Sequence, residues 1–304
     1  MTAETIRIGI DLGGTKTELI ALDAAGYERL RLRRPTPGGD YAATLQLIEA
    51  LVREAEAKLG ARASVGLGTP GAISQKTGRM KNCNSTCLNG KPLKEDVERL
   101  LARDVRIAND ADCFALSEAT DGAGRGASTV FGVILGTGVG GGIVVRGQLL
   151  EGVNRIAGEW GHNALPWPQP EELPGPACYC GRHGCVETWL SGSGMSADHR
   201  RVTGMELPGD EIAARAAQGD IACCATLERY TQRLARAFAQ VINILDPEAI
   251  VLGGGVANIG MLYEVVPQLW GEWVFSDEVR TRLLPNRHGD SSGVRGAAWL
   301  WGNE

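Results

Sequence analysis

Apolar positions in the first part of the chain recur at every second residue and then at helical spacing. Strand-like segments cover residues 6–11, 17–22 and 28–34. Because Gly13 and Gly14 separate the first two segments, the pattern predicts three consecutive strands in a β-meander. A helix is predicted next, since Asp40 can cap its start, Gly60 can end it, and leucine, isoleucine and valine form one face between them.

The same pattern begins again in the second half of the chain. Residues 129–135 form an apolar run, the glycine-rich segment 136–142 predicts a turn, and residues 143–146 predict another strand. The two glycine turns lie about 125 residues apart. This repetition predicts two related α/β halves that face each other across a cleft.

The remaining periodic segments complete an α/β fold. Further strands are predicted at residues 65–68, 105–108 and 249–252, and further helices at residues 93–101, 111–119, 211–218, 221–245 and 293–301. The strand at residues 105–108 delivers Asn109 and Asp110 to its carboxyl end, where open α/β sheets bind their ligands. A polar, asparagine-rich loop at residues 82–90 is expected to face the ligand as well.

Composition and charge narrow the range of functions. The 304 residues are 43% hydrophobic and 22% charged, as in an ordinary globular protein of two domains. A net charge of -5 without a long basic run argues against nucleic acid or an anionic membrane as the main partner. The sequence has no long apolar stretch, and its first residues lack the features of a signal peptide. We therefore expect a cytoplasmic protein with a small-molecule ligand.

A cluster of cysteine and histidine residues predicts a structural zinc site. The predicted ligands are His162, Cys178, Cys180 and Cys185. Four protein ligands of these types fill a tetrahedral zinc site and leave no open position for catalysis. His183, inside the cluster, is the alternative fourth ligand. The other five cysteines are expected to be buried thiols: Cys83, Cys87, Cys113, Cys223 and Cys224.

The turn after the first strand has the chemistry of a phosphate site. Gly13 and Gly14 allow the backbone to approach a phosphate closely. Thr15 and Lys16 can bind the phosphate oxygens, and Asp11 can hold Mg²⁺. The spacing of a P-loop is absent, and a plain hairpin turn is the alternative. Two more glycine turns at predicted strand ends favour a nucleotide site, since the three turns can enclose a nucleotide together.

Asp110 is the candidate general base. It stands at a strand end, where it can accept the proton of an alcohol while a phosphoryl group is transferred to that alcohol. Asn109 can hold the same hydroxyl in place. The alternative is that an acid here only caps the following helix, and Asp112 fits that alternative better.

Several of these motifs together resemble the ROK family of sugar kinases. They comprise residues 11–16, 109–111, 135–142 and 158–162 and the cysteine cluster at residues 178–187. Within the family, the sequence is most similar to bacterial fructokinases of the manno(fructo)kinase type. That finer similarity rests on residues 82–86, 163–167 and 288–299. The resemblance extends over the whole chain.

The resemblance implies a duplicated actin-like ATPase fold, of the ribonuclease H-like type, with two domains around a cleft. The N-terminal α/β domain would comprise residues 1–117 and 289–304, and residues 118–288 would form the C-terminal α/β domain with its zinc-binding insertion. MgATP would bind in the cleft and phosphorylate a hexose, usually at the C6 hydroxyl, with Asp110 as the base.

The resemblance also assigns binding residues. The sugar would contact Gly71, Asn109, Asp110, Glu159, His162 and Glu187. ATP would contact Gly9, Asp11, Gly13, Gly14, Thr15, Lys16, Gly136, Thr137, Gly138, Gly254 and Gly255. One nitrogen of His162 would bind zinc while the other faces the sugar. The metal would then hold Glu159 and Glu187 on either side of the pocket.

The identity of the sugar is open at this point. Fructose is the first expectation, glucose and mannose follow, and an N-acetylhexosamine comes after them.

Two other classes of protein are alternatives to a kinase. A transcriptional repressor of the same family would need a helix-turn-helix before the first strand, for which this sequence has no room, and a silent sugar-binding regulator would not need Asp11 and Asp110. Relatives of this type are commonly homodimers.

Overall fold

A computed structural model describes residues 5–83 and 85–302. The strands of the first half are β1 (Arg7–Leu12), β2 (Lys16–Leu22), β3 (Glu28–Pro35), β4 (Ser64–Thr69), β5 (Ala72–Ile73), β6 (Met80–Lys81) and β7 (Val105–Asn109). Five of them form the first sheet, in the order β3-β2-β1-β4-β7. The predicted β-meander is confirmed, because β1, β2 and β3 pair in antiparallel fashion. β5 and β6 pair separately as a small hairpin.

The second sheet repeats the topology of the first. Its strands are β8 (Thr129–Leu135), β9 (Val139–Val145), β10 (Gln148–Leu149), β11 (Ala249–Gly253) and β12 (Arg282–Pro285), in the order β10-β9-β8-β11-β12. In each sheet, the first strand of the half has an antiparallel neighbour on one side and a parallel neighbour on the other. Two related halves are therefore present, as the recurring glycine turns predict.

Nine α-helices connect and cover the sheets in the described ranges. They are α1 (Tyr41–Leu59), α2 (Leu93–Leu101), α3 (Asp110–Thr120), α4 (Val186–Leu190), α5 (Gly192–Thr203), α6 (Gly209–Ala217), α7 (Ile221–Leu245), α8 (Leu262–Leu269) and α9 (Ser292–Trp299). Both predicted caps of α1 are confirmed. Asp40 accepts the N–H of Ala43 at 3.0 Å, and Gly60 ends the helix in the left-handed conformation at φ 65°.

The helices α3 and α9 follow the last strand of each sheet and pack against each other. Their backbones touch, because a Cβ added at Gly296 would overlap the carbonyl of Cys113. A Cβ at Gly66 would likewise overlap the carbonyl of Ala297, so α9 also lies directly on β4. Close helix packing of this kind fixes the position of the first residue of α3, Asp110, relative to both sheets.

The glycine-rich segment at residues 136–142 differs from its prediction. The turn is shorter, because β9 begins at Val139 and three of the glycines lie within the strand. They are needed there for packing: a Cβ at Gly142 would lie 2.7 Å from the carbonyl oxygen of Ala111, and one at Gly140 would lie 3.0 Å from the Ala111 Cβ. Glycine in this strand therefore lets α3 approach the second sheet.

The free cysteines are less uniformly buried than the sequence predicts. Cys83, Cys113 and Cys223 are buried, but Cys87 is half-buried and Cys224 is exposed. The prediction is wrong for Cys224, because α7 turns this thiol away from its packed face, whereas the neighbouring Cys223 points inward.

Two carboxylates tie together the segments that run between the sheets. The chain leaves α3 for β8 and returns from β12 to α9. Glu118, which is fully buried, accepts hydrogen bonds from Ala123 N at 2.8 Å, Arg287 N at 3.1 Å and the Ser292 hydroxyl at 2.7 Å. Asp121 accepts hydrogen bonds from Arg295 and Trp299 of α9, and its Oδ1 lies 3.1 Å from Nε2 of His288, which precedes that helix. The predicted domain boundaries near residues 117 and 288 lie beside these contacts and stay a prediction.

Removing the Glu118 carboxylate should destabilise the protein. In Glu118→Ala, the buried Ser292 hydroxyl and two partly buried N–H groups lose this acceptor, so we expect the free energy of unfolding to fall by about 2–4 kcal/mol in urea denaturation. Glu278→Ala is the control, because Glu278 forms an exposed ion pair with Arg280, and its loss should change stability by less than about 0.5 kcal/mol. Equal effects of the two substitutions would contradict the role given to Glu118.

Candidate active site

The boundary between β7 and α3 forms one wall of the candidate site. Asn109 ends β7, and its side-chain oxygen accepts the N–H of Asp112 at 2.6 Å. Asn109 is therefore the N-cap of α3. Asp112 was expected to be the better candidate for this cap. That expectation is wrong, because Asp112 lies inside the first turn, where its N–H is the donor that needs a cap.

Asp110 is the first residue of α3. Its side chain is open to the cleft, and its Oδ1 accepts the N–H of Ala111 at 2.8 Å. The surrounding protein reduces the solvation of this carboxylate, which raises its pKa above the usual value even though hydrogen bonds from backbone N–H groups oppose the change. A carboxylate with one oxygen held by the helix and a raised pKa suits a general base.

Asp11 stands near the end of β1 and shares the cleft with Asp110. Burial, together with the charges of Asp110 and Glu18, raises the pKa of Asp11 to about 6, although the charge of Lys16 opposes this increase. From the other side, α9 approaches so closely that a Cβ at Gly293 would lie 4.0 Å from the Asp11 carboxylate. Two neighbouring carboxylates that repel each other form a site that a divalent cation with oxygen preference would stabilise.

The raised pKa of Asp11 predicts a pH-dependent effect on stability. Its folded-state pKa of about 6 exceeds the unfolded value of 3.8, so ionisation opposes folding increasingly as the pH rises between these values. Without Mg²⁺ and nucleotide, Asp11→Asn should therefore raise the free energy of unfolding by about 1–3 kcal/mol at pH 7.5 and by almost nothing at pH 4.

Urea denaturation of Asp11→Asn at both pH values measures this effect. The control is Asp104→Asn, at an exposed position, which should change stability little at either pH. A variant that is less stable than the wild type at pH 7.5 would contradict the electrostatic account of Asp11.

The β1–β2 turn contains the first group of predicted nucleotide residues. Gly14, Thr15 and Lys16 are exposed, and Gly13 is half-buried. Thr36 holds the turn, since its hydroxyl donates to the Gly13 carbonyl at 2.7 Å and its N–H donates to the Thr15 carbonyl at 2.9 Å. The turn is thus fixed by its carbonyl groups while its other face remains open to a ligand.

The second group of predicted nucleotide residues lies in the second sheet. Gly136, Thr137 and Gly138 form the turn between β8 and β9, and the Gly136 carbonyl accepts the N–H of Gly192, at the start of α5, at 2.7 Å. Gly254 has φ 82° and lies so close to Leu135 that a Cβ would overlap its carbonyl.

The structure therefore brings the turn between β8 and β9 next to the one after β11, where the exposed Gly255 follows Gly254. The β1–β2 turn belongs to the other sheet and makes its described contacts with Thr36.

Gly9 does not lie with these turns. It is buried within β1, and a Cβ there would overlap the carbonyl of Val294 on α9. Its predicted contact with ATP is corrected to a packing role, because the α9 backbone covers the position.

The four predicted metal ligands come together. One ligand atom from each of His162, Cys178, Cys180 and Cys185 lies within 4.8 Å of all the others. The Cys178 sulfur is 3.6 Å from His162 Nδ1, and the Cys180 and Cys185 sulfurs are 3.6 Å apart. Tetrahedral zinc with Zn–S bonds of about 2.3 Å separates its sulfurs by about 3.8 Å, so this arrangement fits zinc. The alternative ligand, His183, is exposed and is outside this group in the described chain.

The segment between His162 and Cys178 is anchored on α7. Glu172 is buried and accepts hydrogen bonds from Arg233 at 2.7 Å and from Arg236 at 2.8 Å. Arg236 also donates to the carbonyl of Trp167. The buried ion pairs fix the loop that leads into the metal ligands, so the ligand cluster has a rigid support on one side.

The two acids that flank the ligands differ in their surroundings. Glu187 is half-buried on α4, and its Oε2 accepts the N–H of Val139 at 3.0 Å, next to Gly138. It thus touches the glycine turn between β8 and β9. Glu159 is exposed, and it is positioned by Trp160, whose buried ring stacks on Phe238 with centroids 5.5 Å apart.

His162 uses both ring nitrogens. Nδ1 faces the metal ligands, and Nε2 lies 2.9 Å from the hydroxyl of Tyr179. The two rings meet edge to face at 5.1 Å. Burial raises the pKa of the Tyr179 hydroxyl, and the charges of Glu187, Cys178, Glu159 and Cys180 raise it further. From the sequence, the free nitrogen of His162 was expected to face the sugar, and its contact with Tyr179 was not predicted.

A pocket at the carboxyl ends of β4 and β7 contains two more predicted sugar residues. Gly71 and Asn109 line it together with Asp112, Glu151 and Arg155. The Asp112 Oδ1 is buried without a hydrogen-bond partner among the described residues. Burial raises the pKa of Asp112 to about 8, and the charges of Glu151, Glu159 and Asp110 contribute. Asp112 could have been identified as a pocket residue from its position two residues after Asp110. Nothing in the sequence marks Glu151 or Arg155 as residues of this pocket.

The asparagine-rich loop is described in part. Asn89 closes it, because its side chain accepts the Cys83 N–H at 2.9 Å and donates to the Cys83 carbonyl at 3.0 Å. Asn84, which belongs to the motif that resembles fructokinases, lies outside the described residues. In the two described ranges, no helix is both long and apolar enough to cross a membrane.

Comparisons with known proteins agree over almost the whole chain. The family model described as "ROK family" matches residues 7–304. An N-acetyl-D-glucosamine kinase from Yersinia enterocolitica is 39% identical over 296 residues, covering 96% of this chain and 98% of the relative.

Two solved structures are also similar to the chain. A ROK hexokinase from Thermus thermophilus has a TM-score of 0.87 at 28% identity and 97% coverage of both chains. A ROK family glucokinase from Streptomyces griseus, solved with glucose and AMPPNP, has a TM-score of 0.74 at 28% identity, covering 97% of this chain and 98% of that chain. These likenesses confirm the duplicated actin-like ATPase fold with two domains.

Proposed function

We propose, because the chain belongs to the ROK family, that it is an ATP-dependent hexose kinase. The observation that carries this proposal is the placement of Asp110, a solvent-accessible carboxylate with a raised pKa at the carboxyl end of β7, within electrostatic range of Asp11. The cleft would separate residues 1–117 with 289–304 from residues 118–288. The enzyme would act in the cytoplasm, where ATP and hexoses are available.

N-acetyl-D-glucosamine is our first choice of substrate. The support is the similarity to an N-acetyl-D-glucosamine kinase, at 39% identity over 98% of that relative. The motifs that resemble fructokinases put fructose first, but no fructokinase stands among the relatives described above. Fructose is therefore the second candidate, and glucose and mannose follow.

The reaction requires little covalent chemistry from the protein. Asp110 would accept the proton of the sugar C6 hydroxyl at the carboxylate oxygen that Ala111 does not occupy. Mg²⁺, when bound, neutralises charge on the phosphate oxygens, and Asp11 would hold it. The β1–β2 turn and the turn between β8 and β9 would bind the phosphates through their backbone N–H groups.

The metal centre would serve the sugar side of the cleft. Zinc fits the four ligands, and it would fix His162 at one end of the pocket and the start of α4, with Glu187, at the other. Because Glu187 also touches the turn between β8 and β9, the sugar pocket and the phosphate turn would share one carboxylate.

ADP release in a coupled assay tests the proposal with a panel of sugars. With MgATP, we expect N-acetylglucosamine to give the highest kcat/KM, and fructose, glucose and mannose to give lower values. A preference for fructose would return the assignment to the fructokinase type. Sugar binding without ADP release for any hexose would favour the regulator that only binds a sugar.

A further inference from the structure

Glu18 is a buried acid beside the candidate Mg²⁺ site, and it belongs to none of the motifs described above. It lies on β2 with only 3% of its surface exposed. In the register of the first sheet, it is the direct partner of Asp11 on β1. Directly opposite residues of antiparallel strands share a face of the sheet, with their Cβ atoms about 5 Å apart. Like charges in that position destabilise a sheet, so the pair calls for an explanation.

Two arginines occupy the carboxylate of Glu18. Arg33, its direct partner on β3, donates to Oε2 from Nη2 at 2.6 Å and from Nε at 3.1 Å. Arg31 donates to the other oxygen, Oε1, and also to the hydroxyl of Ser291, at the start of α9, at 2.9 Å. Within the described ranges, the guanidinium group of Arg33 bonds to Glu18 alone. Both oxygens of Glu18 therefore have a cationic partner.

Asp11 is not paired in this way. Among residues 5–83 and 85–302, its carboxylate forms no hydrogen bond and no ion pair. Its partner on the other side, in β4, is Gly68, which has no side chain. Across the three strands, Glu18 thus stands between the cation of Arg33 and the acid that would hold Mg²⁺. Because guanidinium groups pair strongly with carboxylates, arginines that Glu18 did not hold would compete with Mg²⁺ for Asp11.

We propose that Glu18 is a positioning residue of the Mg²⁺ site, which binds Arg33 and Arg31 and so keeps their charges away from Asp11. The proposal rests on the proposed kinase function. Glu18 does not itself hold the metal, since it is buried and the arginines bind both of its oxygens. It acts through Asp11, because a carboxylate paired with arginine must give up that ion pair before it can hold a divalent cation.

The variant Glu18→Gln keeps the size of the side chain and removes the charge that holds the arginines. Calorimetry with AMPPNP at increasing Mg²⁺ measures the Mg²⁺ concentration at which the nucleotide affinity reaches half of its maximum. We expect this concentration to rise about 10-fold. The affinity for AMPPNP without Mg²⁺ should not fall, because no group proposed to bind phosphate is changed. Glu54→Gln is the matched control, since it also removes a carboxylate from an arginine, Arg34 at 3.0 Å, but on α1 instead of β2.

A second substitution separates this role from a purely structural one. In Glu18→Gln/Arg33→Gln, a cation is removed together with the acid, while Arg31 keeps its ion pair with Glu28 at 2.7 Å. The Mg²⁺ concentration should then return to within about threefold of the wild-type value. Arg33→Gln alone changes a side chain that is 52% exposed, so it provides a test even if Glu18→Gln does not fold. It should leave the Mg²⁺ requirement unchanged or lower it.

Three results would each overturn the proposal. They are an unchanged Mg²⁺ requirement in Glu18→Gln, no recovery in the double variant, and a higher Mg²⁺ requirement in Arg33→Gln. Wild-type protein that binds AMPPNP equally well without Mg²⁺, or does not bind it at all, would instead count against the kinase function from which the proposal starts.

Discussion

Asp110→Asn is expected to lower kcat by about three orders of magnitude, while the Kd for the sugar changes less than about threefold. Asparagine has nearly the same shape and can still accept the N–H of Ala111, so α3 and the pocket should keep their structure. It cannot take a proton from a hydroxyl at neutral pH. The effect should therefore appear in the chemical step. Single-turnover kinetics and sugar calorimetry on the purified variant separate chemistry from binding.

The neighbouring acid, Asp112, provides the control for this result. Its pKa of about 8 keeps it mostly protonated at pH 7, and a protonated carboxyl cannot act as the base. Asp112→Asn resembles that protonated form, so we expect kcat to stay within about tenfold of the wild type. If kcat fell by three orders of magnitude in Asp112→Asn while Asp110→Asn stayed active, the assignment of Asp110 as the base would be wrong.

Cys185→Ser should remove the metal and most of the sugar affinity together. Cys185 is buried at the start of α4, two residues before Glu187, so its sulfur would connect the metal to one of the acids proposed to bind the sugar. Without the metal, His162 and the start of α4 would lose the link that the four ligands provide. We expect zinc content to fall from about one ion per chain to almost none, and the Kd for the sugar to rise about 30-fold or more.

Cys224→Ser distinguishes this effect from a general effect of cysteine loss. Cys224 is an exposed thiol on α7, away from the four ligands, and its replacement should leave zinc content and sugar affinity unchanged. Metal analysis by emission spectroscopy and calorimetry with the sugar measure both quantities. Normal sugar affinity in zinc-free Cys185→Ser would contradict the link between the metal and the pocket.

Local sequence signals predicted much of the fold, because short-range chemistry determines these elements. Asp40 and Gly60 cap the two ends of α1 through contacts with the helix itself, so both ends could be predicted from nearby residues. The start of β9 was not predictable in the same way. Gly140 and Gly142 resemble turn residues in the sequence, but α3, which packs on them, is the reason that they are glycine.

In the candidate site, too, features set by nearby residues were predicted, and features set by tertiary contacts were not. The four metal ligands were predicted from their spacing and residue types, and they meet as expected. The cap on α3, by contrast, was assigned to the wrong residue, since the choice between Asn109 and Asp112 depends on where the helix begins. Glu118 and Tyr179 gave no signal. Ser292 lies 174 residues from Glu118 in the chain, and the contact of Tyr179 with His162, 17 residues away, depends on how the loop between them folds.

Proton and phosphorus NMR of the product from N-acetylglucosamine and MgATP tests the central claim most directly. The account predicts a sugar phosphate ester at C6 in equal amount to the ADP formed, and no ester with Asp110→Asn in the same time. An ester at another carbon, or ADP and free phosphate without any sugar ester, would contradict transfer to the C6 hydroxyl with Asp110 as the base.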